Sequence, residues 1–363
     1  MHQGRAQVSV VIGTFLGHAE INSILNVNLI NINVNLFYMQ NHSSPWRRLV
    51  AAGYAASPAL TMLGFIMAVD LVFCLAGLMV DHRVITGAPA WLKPAKFALS
   101  TMIAAWSFAF CIASTSIWAH TRRRLDAVLA VGLFIEIALI DIQAARGTSS
   151  HFNVATHVDS AVFAVMGVSI LCIWLSMLLL AVLLFRQPFA QAAWGWSLRL
   201  GMVLALIGTG SGGLMAMPNS QQLADAHATG KLIIAGAHTV GAPDGGRGLP
   251  VTGWSVDHGD LRIAHFLGMH GLQVLPLLAW WLARRRAPAS ERTQRNLIFA
   301  AATSYLALFG LVLWQAFRGQ SIAQPDGLTL ESFAVWLIAT AIAVVVISSK
   351  YVTQILNTKE GIS

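Results

Sequence analysis

Eight runs of about twenty apolar residues set what this chain can fold into, because that length is what an α-helix needs to cross the hydrocarbon core of a bilayer. They fall near residues 58–80, 96–118, 125–143, 158–185, 196–217, 263–283, 296–317 and 332–355. Only 10% of the 363 residues are charged and 56% are hydrophobic, where an average soluble domain carries about 25% charged residues. The sequence therefore predicts an all-α integral membrane protein with about eight transmembrane helices. The fifth run carries Gly208-Thr209-Gly210-Ser211-Gly212-Gly213. Residues this small either let a neighbouring helix come close or let their own helix unwind beside a cavity.

Orientation follows from the basic residues. Arg47 and Arg48, Arg122 to Arg124, Arg186, Arg199, Arg284 to Arg286, Arg292, Arg295, Lys350 and Lys359 all fall on one side of the eight runs. By the positive-inside rule that side is cytoplasmic, with both termini inside. The net charge of +8 is thereby accounted for as topogenic, and no nucleic-acid partner is expected. Cys74, Cys111 and Cys172 lie inside apolar runs, so neither a disulfide framework nor a Cys-ligand metal site is expected. Residues 1–45 differ from the rest. Ile21 to Leu36 alternate Asn with Val, Ile and Leu, a period-2 pattern foreign to helices, and we expect an extension whose natural start is Met39.

Three short strings recur in the same order. Gly77-Leu78-Met79 recurs as Gly213-Leu214-Met215, Leu92 to Phe97 as Leu261 to Phe266, and Gln143 to Ser149 as Gln315 to Ser321. The spacing between copies grows after the first match, as one longer loop would require. Four helices duplicated in this way give two parallel four-helix repeats, since an even number of spans returns the chain to the same side. The repeats cover residues 46–190 and 191–363, and the second contains a Gly-rich extracytoplasmic loop over 218–261. Pro243-Asp244-Gly245-Gly246-Arg247-Gly248 in that loop is turn chemistry, and a lid of reverse turns is expected.

Ionisable residues inside apolar runs mark function by default. Lys93 and Lys96 flank Pro94 at the mouth of the second run, and Arg262 and His265 repeat them on the sixth. Each sits at the positive end of a helix dipole, unfavourable by about 0.3–1 kcal/mol without compensation. Arg146 and Arg318 close the third and seventh runs on the same side. These cations require an anion, and two sources can supply one. The internal source is the carboxylates Glu136 and Asp141 on the third run, with Asp159 and Asp260 nearer the surface; Lys96 would then pair with Glu136 or Asp141. The external source is a ligand: haem propionates, a lipid phosphate or a small anionic substrate.

The histidines constrain such a ligand. His265 and His270 on one helix point about 140° apart and are separated by about 7.5 Å along its axis, so they cannot grip opposite faces of one planar cofactor. Each needs a partner from elsewhere, and His151 and His157 lie on the same side. Thr156 with Asp159 three residues on is a helix start resembling a capping box. His82, His238 and His258 read as loop residues open to solvent.

The strings Trp91 to Phe97, Gln143 to Asn153 and Gly259 to Pro276 resemble those of a widespread bacterial family of multi-pass membrane proteins with no established activity. The resemblance covers nearly everything after Pro58 and implies a bacterial plasma (inner) membrane location and the topology above. The two-repeat layout with outward-side histidines also resembles haem A synthase, whose family uses paired histidines on even-numbered helices. Here Lys96 stands where the second helix would carry a histidine and the eighth carries none, so at most one haem site is implied.

Three functions follow as expectations. The first is a haem- or metal-dependent redox protein, with His265 or His270 and His151 or His157 as ligands, His265 and His270 being the metal candidates. Lys96, Arg146, Arg262 and Arg318 would hold the propionates, and a quinone or anionic lipid is a further partner for such a pocket. The second is a proton-coupled transporter or binder of an organic anion or lipid phosphate, with Glu136 and Asp141 as catalytic carboxylates alongside Asp70. The third is a structural membrane subunit. No nucleophile motif, Walker loop, Rossmann fingerprint or zinc-protease signature occurs.

Overall fold

The computed structural model describes residues 45–285 and 289–360; the expected late start at Met39 lies outside them. Two compact units are recognised, 1–55 and 56–363. The described part of the first is contained in helix α1, Pro45–Ala56. The second is built from α2 (Pro58–Val80), α3 (Leu92–Ala113), α4 (Ala119–Ala145), α5 (His157–Arg186), α6 (Ala192–Ser211), α7 (Ser220–Thr229), α8 (Leu261–Ala283), α9 (Glu291–Phe317) and α10 (Gly327–Glu360). Seven of these, α2, α3, α5, α6, α8, α9 and α10, are long and apolar enough to cross a membrane. The chain is a multi-pass membrane protein. Helix α4 has the length, 27 residues, but its sequence carries Arg122 to Arg124, Asp126, Glu136 and Asp141.

Long-range polar contacts fix the helix ends. Pro58 opens α2, where a missing N–H costs nothing, and Asp126 of α4 caps that end by accepting from Ser57 Oγ at 2.5 Å and from the backbone N–H groups of Ala59 and Leu60 at 3.0 Å. A carboxylate there also complements the helix dipole. Thr156 caps α5 by accepting from the Asp159 N–H at 3.1 Å, as its spacing predicts. Helix α3 begins at Leu92, four residues before the expected apolar run, so Lys93 and Lys96 lie inside its first turns.

The glycine run at the end of α6 does not unwind; it continues as helix to Ser211 and tightens into a 3₁₀ turn over Gly212–Leu214. Its role is close approach. A Cβ built on Gly208 would lie 2.4 Å from the Gly268 carbonyl carbon, and one on Gly201 would lie 3.0 Å from the Gly271 oxygen. Helices α6 and α8 thus touch backbone to backbone. The main core joins both halves: Leu60, Met67, Ile112, Leu129, Ile137, Ile173 and Leu180 pack with Leu198 and Met202 of α6 and Leu272 of α8.

The two matched corners are built alike. After α4, Gly147 N–H donates to Ala144 O, Thr148 N–H to Gln143 O, and Gln143 Nε2 to Ser149 O. After α9, Gly319 N–H donates to Ala316 O, Gln320 N–H to Gln315 O, and Gln315 Nε2 to Ser321 O. Both glycines have positive φ, 76° and 72°, as helix-ending glycines do.

The 218–261 loop is more than a set of turns. It contains α7, closed by a capping box between Asn219 and Gln222, and a two-stranded ribbon. In the ribbon, β1 (Thr239–Val240) pairs antiparallel with β2 (Gly259–Asp260) at the head of α8. Helix α10 packs chiefly on α9, tied by Trp336 Nε1 donating to Ser304 O at 2.9 Å and by the Ser304 and Thr340 hydroxyls at 2.7 Å.

Adding a methyl group at the α6–α8 contact forces backbone apart. Gly208→Ala is expected to cost about 1–3 kcal/mol, read as a lower unfolding midpoint in detergent. Gly213→Ala, where a Cβ meets nothing within 4 Å, serves as the control and should leave the midpoint unchanged.

Candidate functional site

At the end of the bundle where α3, α5 and α8 begin, side chains from both halves gather under the long loop. The centre is Glu136, nine residues or about 14 Å before the end of α4. It is 4% exposed, and its Oε2 has no hydrogen-bond partner among the described residues. Its Oε1 faces Nε2 of His151 at 3.5 Å. On the other side of that ring, Nδ1 accepts from Lys93 Nζ at 3.0 Å, with Ser150 Oγ also at 3.0 Å. With Lys93 donating, the lone pair of His151 is on Nδ1 and its proton is on Nε2, directed at the carboxylate. Lys93, His151 and Glu136 form one chain of titratable groups.

Phe152, next to His151, holds a left-handed backbone, φ 65°. For a bulky residue this is strained by about 1–3 kcal/mol. Its ring lies 6.0 Å from His151 and 4.9 Å from His238, so the strained turn seats both imidazoles against one aromatic.

His238, expected to be solvated, is instead part of the cluster. Its Nδ1 donates to Asp244 Oδ2 at 2.6 Å, and Asp244 also accepts from the backbone N–H groups of His238 and Thr239. Burial would push the Asp244 carboxyl up, but hydrogen bonds and charge from His238 outweigh it and hold the group below the ordinary carboxylate range. His265, on α8, donates from Nδ1 to the Gly208 carbonyl at 2.7 Å, a contact that the glycine packing of α6 and α8 makes possible. His151, His238 and His265 lie within electrostatic reach of one another.

The expected cations find internal partners. Arg262 makes a bidentate pair with Asp260, which is 1% exposed, and donates to Gly253 O at 2.7 Å. Arg146 pairs with Asp159 at 2.9 Å and with Gln143. Arg318 pairs with Asp326 and donates to Thr329 Oγ1 at 2.9 Å. Asp159 and Asp260 are buried, not near the surface as their sequence positions suggested. The expected ion pair of Lys96 with Glu136 or Asp141 does not form. Lys93 takes the place beside Glu136, and Lys96 donates to the Thr252 carbonyl at 2.8 Å with no ion pair among the described residues. Arg146 and Arg318 are therefore engaged by carboxylates at the starts of α5 and α10 and do not converge with Lys96.

The expected histidine pairs are not assembled. His157 is exposed at the start of α5. His270 points elsewhere, with Nδ1 3.3 Å from Gln273 Oε1 and its ring stacked on Phe266 at 6.5 Å. Asp141, five residues and about 140° round α4 from Glu136, faces Asp70 of α2 instead. What sequence reasoning missed is His238 with Asp244; the only local signal was the Pro-Asp-Gly turn six residues on. No protein-family model matches the chain, and neither curated proteins nor solved structures include a match. Function rests on the chemistry of the site.

Burial first, then the Lys93 charge, holds His151 well below its ordinary value of 6.5, and burial does the same to His238 despite Asp244. The unfolded chain therefore binds more protons than the folded one as pH falls below 6.5, and stability rises with pH. Unfolding free energy is expected to fall between about pH 7 and about pH 5 by up to about 1.4 kcal/mol per pH unit for each imidazole. His151→Gln should flatten part of that slope; a wild-type profile that is already level contradicts the assignment.

Proposed function

We propose that this is a bacterial inner-membrane carrier or binder of a small organic anion or lipid phosphate, coupled to protons at Glu136. The observation that carries this reading is the buried Glu136 carboxylate, with one oxygen unpartnered and the other 3.5 Å from an imidazole that Lys93 orients. Within a bilayer such a group either carries a proton or exchanges it. His151 lies between Glu136 and Lys93 and passes the proton by accepting at Nδ1 and releasing from Nε2. Lys96, which donates to a backbone carbonyl and has no ion pair among the described residues, is the cation left to meet the anion.

The proposal includes eight spans with α4 as the third, two parallel four-helix repeats, and both termini cytoplasmic. The matched corners after α4 and α9 support the duplication, as does the packing order. Helix α2 packs on α3 and α4, α3 on α4, and α4 on α5; α6 packs on α8 and α9, α8 on α9, and α9 on α10. The basic residues at the ends opposite the cluster support the orientation.

One observation favours a second reading, a metal-dependent redox site. His238 and His265 each have Nδ1 committed to a fixed acceptor, Asp244 Oδ2 and Gly208 O, which leaves the Nε2 lone pair for a metal, the pattern of oriented metal-binding histidines. Haem fits the expected residues poorly: both nitrogens of His151 are engaged, His157 is exposed, and His265 and His270 diverge on one helix.

Proteoliposomes loaded with a pH-sensitive dye separate the readings. Wild-type protein is expected to admit protons on addition of at least one of a monocarboxylate, a dicarboxylate or inorganic phosphate, and Glu136→Gln to slow this about 100-fold. Proton entry unaltered in Glu136→Gln, or none with any of these anions, overturns the proposal. Absorption and metal analysis of the purified protein test the second reading, which predicts bound metal that disappears in His265→Ala.

A further inference from the structure

A second group of ionisable side chains lies between α2 and α4, apart from the Glu136 chain. Asp70 and Cys74 are one turn apart and share a face of α2; Asp141 meets them from α4. One ligand atom from each lies within 4.8 Å of the other two. Cys74 is fully buried, and its Sγ lies 3.7 Å from Asp70 Oδ1. Asp70 Oδ2 and Asp141 Oδ1 are sealed from solvent and have no hydrogen-bond partner among the described residues. Among the described residues neither carboxylate forms an ion pair with a basic side chain.

Two carboxylates at this separation in a low-dielectric bundle, without a basic partner, do not both stay charged and bare. Asp70 and Asp141, with carboxylate oxygens within 4.8 Å of each other, hold one proton between them, since two bare carboxylates offer only acceptors and repel. The thiol adds a soft donor to two hard ones. For a tetrahedral ion bound to sulfur at about 2.3 Å and to oxygen at about 2.0 Å, the two donors stand about 3.5 Å apart, close to the separation of Cys74 and Asp70.

We propose that Asp70, Cys74 and Asp141 form a binding site for a thiophilic divalent cation of the Zn2+ type, filled in exchange for two protons. The proton shared by the carboxyls and the proton of the thiol leave, and one divalent ion enters. Before exchange the group carries one negative charge; afterwards two carboxylates, one thiolate and a double positive charge again sum to one negative. No net charge moves, so the exchange avoids the large cost of changing charge inside a bilayer. The fourth position of the ion is open to water or to a transported group.

The test uses the full-length purified protein and Co2+ as a spectroscopic stand-in for Zn2+. Expected are a thiolate-to-cobalt charge-transfer band at one ion per chain, displacement by Zn2+, and release of two protons per ion read with a pH indicator. The band should vanish in Cys74→Ser and persist when Cys111 and Cys172 are both changed to Ser. Asp70→Asn and Asp141→Asn should each weaken cobalt binding about 10-fold or more. No band in the wild type, a band that survives Cys74→Ser, or binding without proton release overturns the site. If Cys74→Ser does not fold, wild-type proton stoichiometry and the two Asn variants decide it. None of these outcomes depends on Glu136.

Discussion

The contact on which the loop end of the bundle depends is the backbone approach of α6 to α8 through Gly208 and Gly268. Between apolar helices in lipid there is little hydrophobic gain on association, and close packing of small residues supplies the attraction instead. Here it has a chemical by-product. With no side chain between the helices, the Gly208 carbonyl is open to His265, and the ring is fixed in one tautomer by a neighbouring helix rather than by its own.

Charge balance is the second constraint. The cations at the loop end are neutralised in short-range pairs with Asp159, Asp260 and Asp326, or satisfied by the carbonyls of Thr252 and Gly253. Lys96 and Arg262 thereby hold the segment from Thr252 to Gly253 down on α3 and α8, and the loop becomes part of the site's wall. Among the described residues, buried carboxylate oxygens lacking a hydrogen bond fall in two places, Glu136 and the Asp70–Asp141 pair. Both draw on α4, which carries Glu136 and Asp141 within an otherwise apolar stretch.

Much of the fold was legible in the sequence because lipid imposes a simple code. Apolar runs gave the long helices, Thr156 and Asp159 gave the start of α5, and the repeated Gln-to-Ser strings marked two corners with matching hydrogen bonds. What a local pattern cannot give is how far each helix is rotated about its axis and which distant group it meets. Lys93 rather than Lys96 reaches the Glu136 chain because α3 starts four residues early. Asp126 caps a helix more than sixty residues before it, and His238 enters the site only because the loop folds back through β1 and β2. The loop helix α7 was hidden by the glycines and prolines that surround it.

Helix α10 contributes no buried residues over its apolar window, and its named polar ties to α9 converge on Ser304. Its outward stripe is held by no other described helix, so exchanges among Val, Ile, Leu and Ala there leave the bundle's packing unchanged, while Ser304, Trp336 and Thr340 stay constrained. Sequence divergence along α10 would then record the thickness and fluidity of the host membrane more than anything about chemistry.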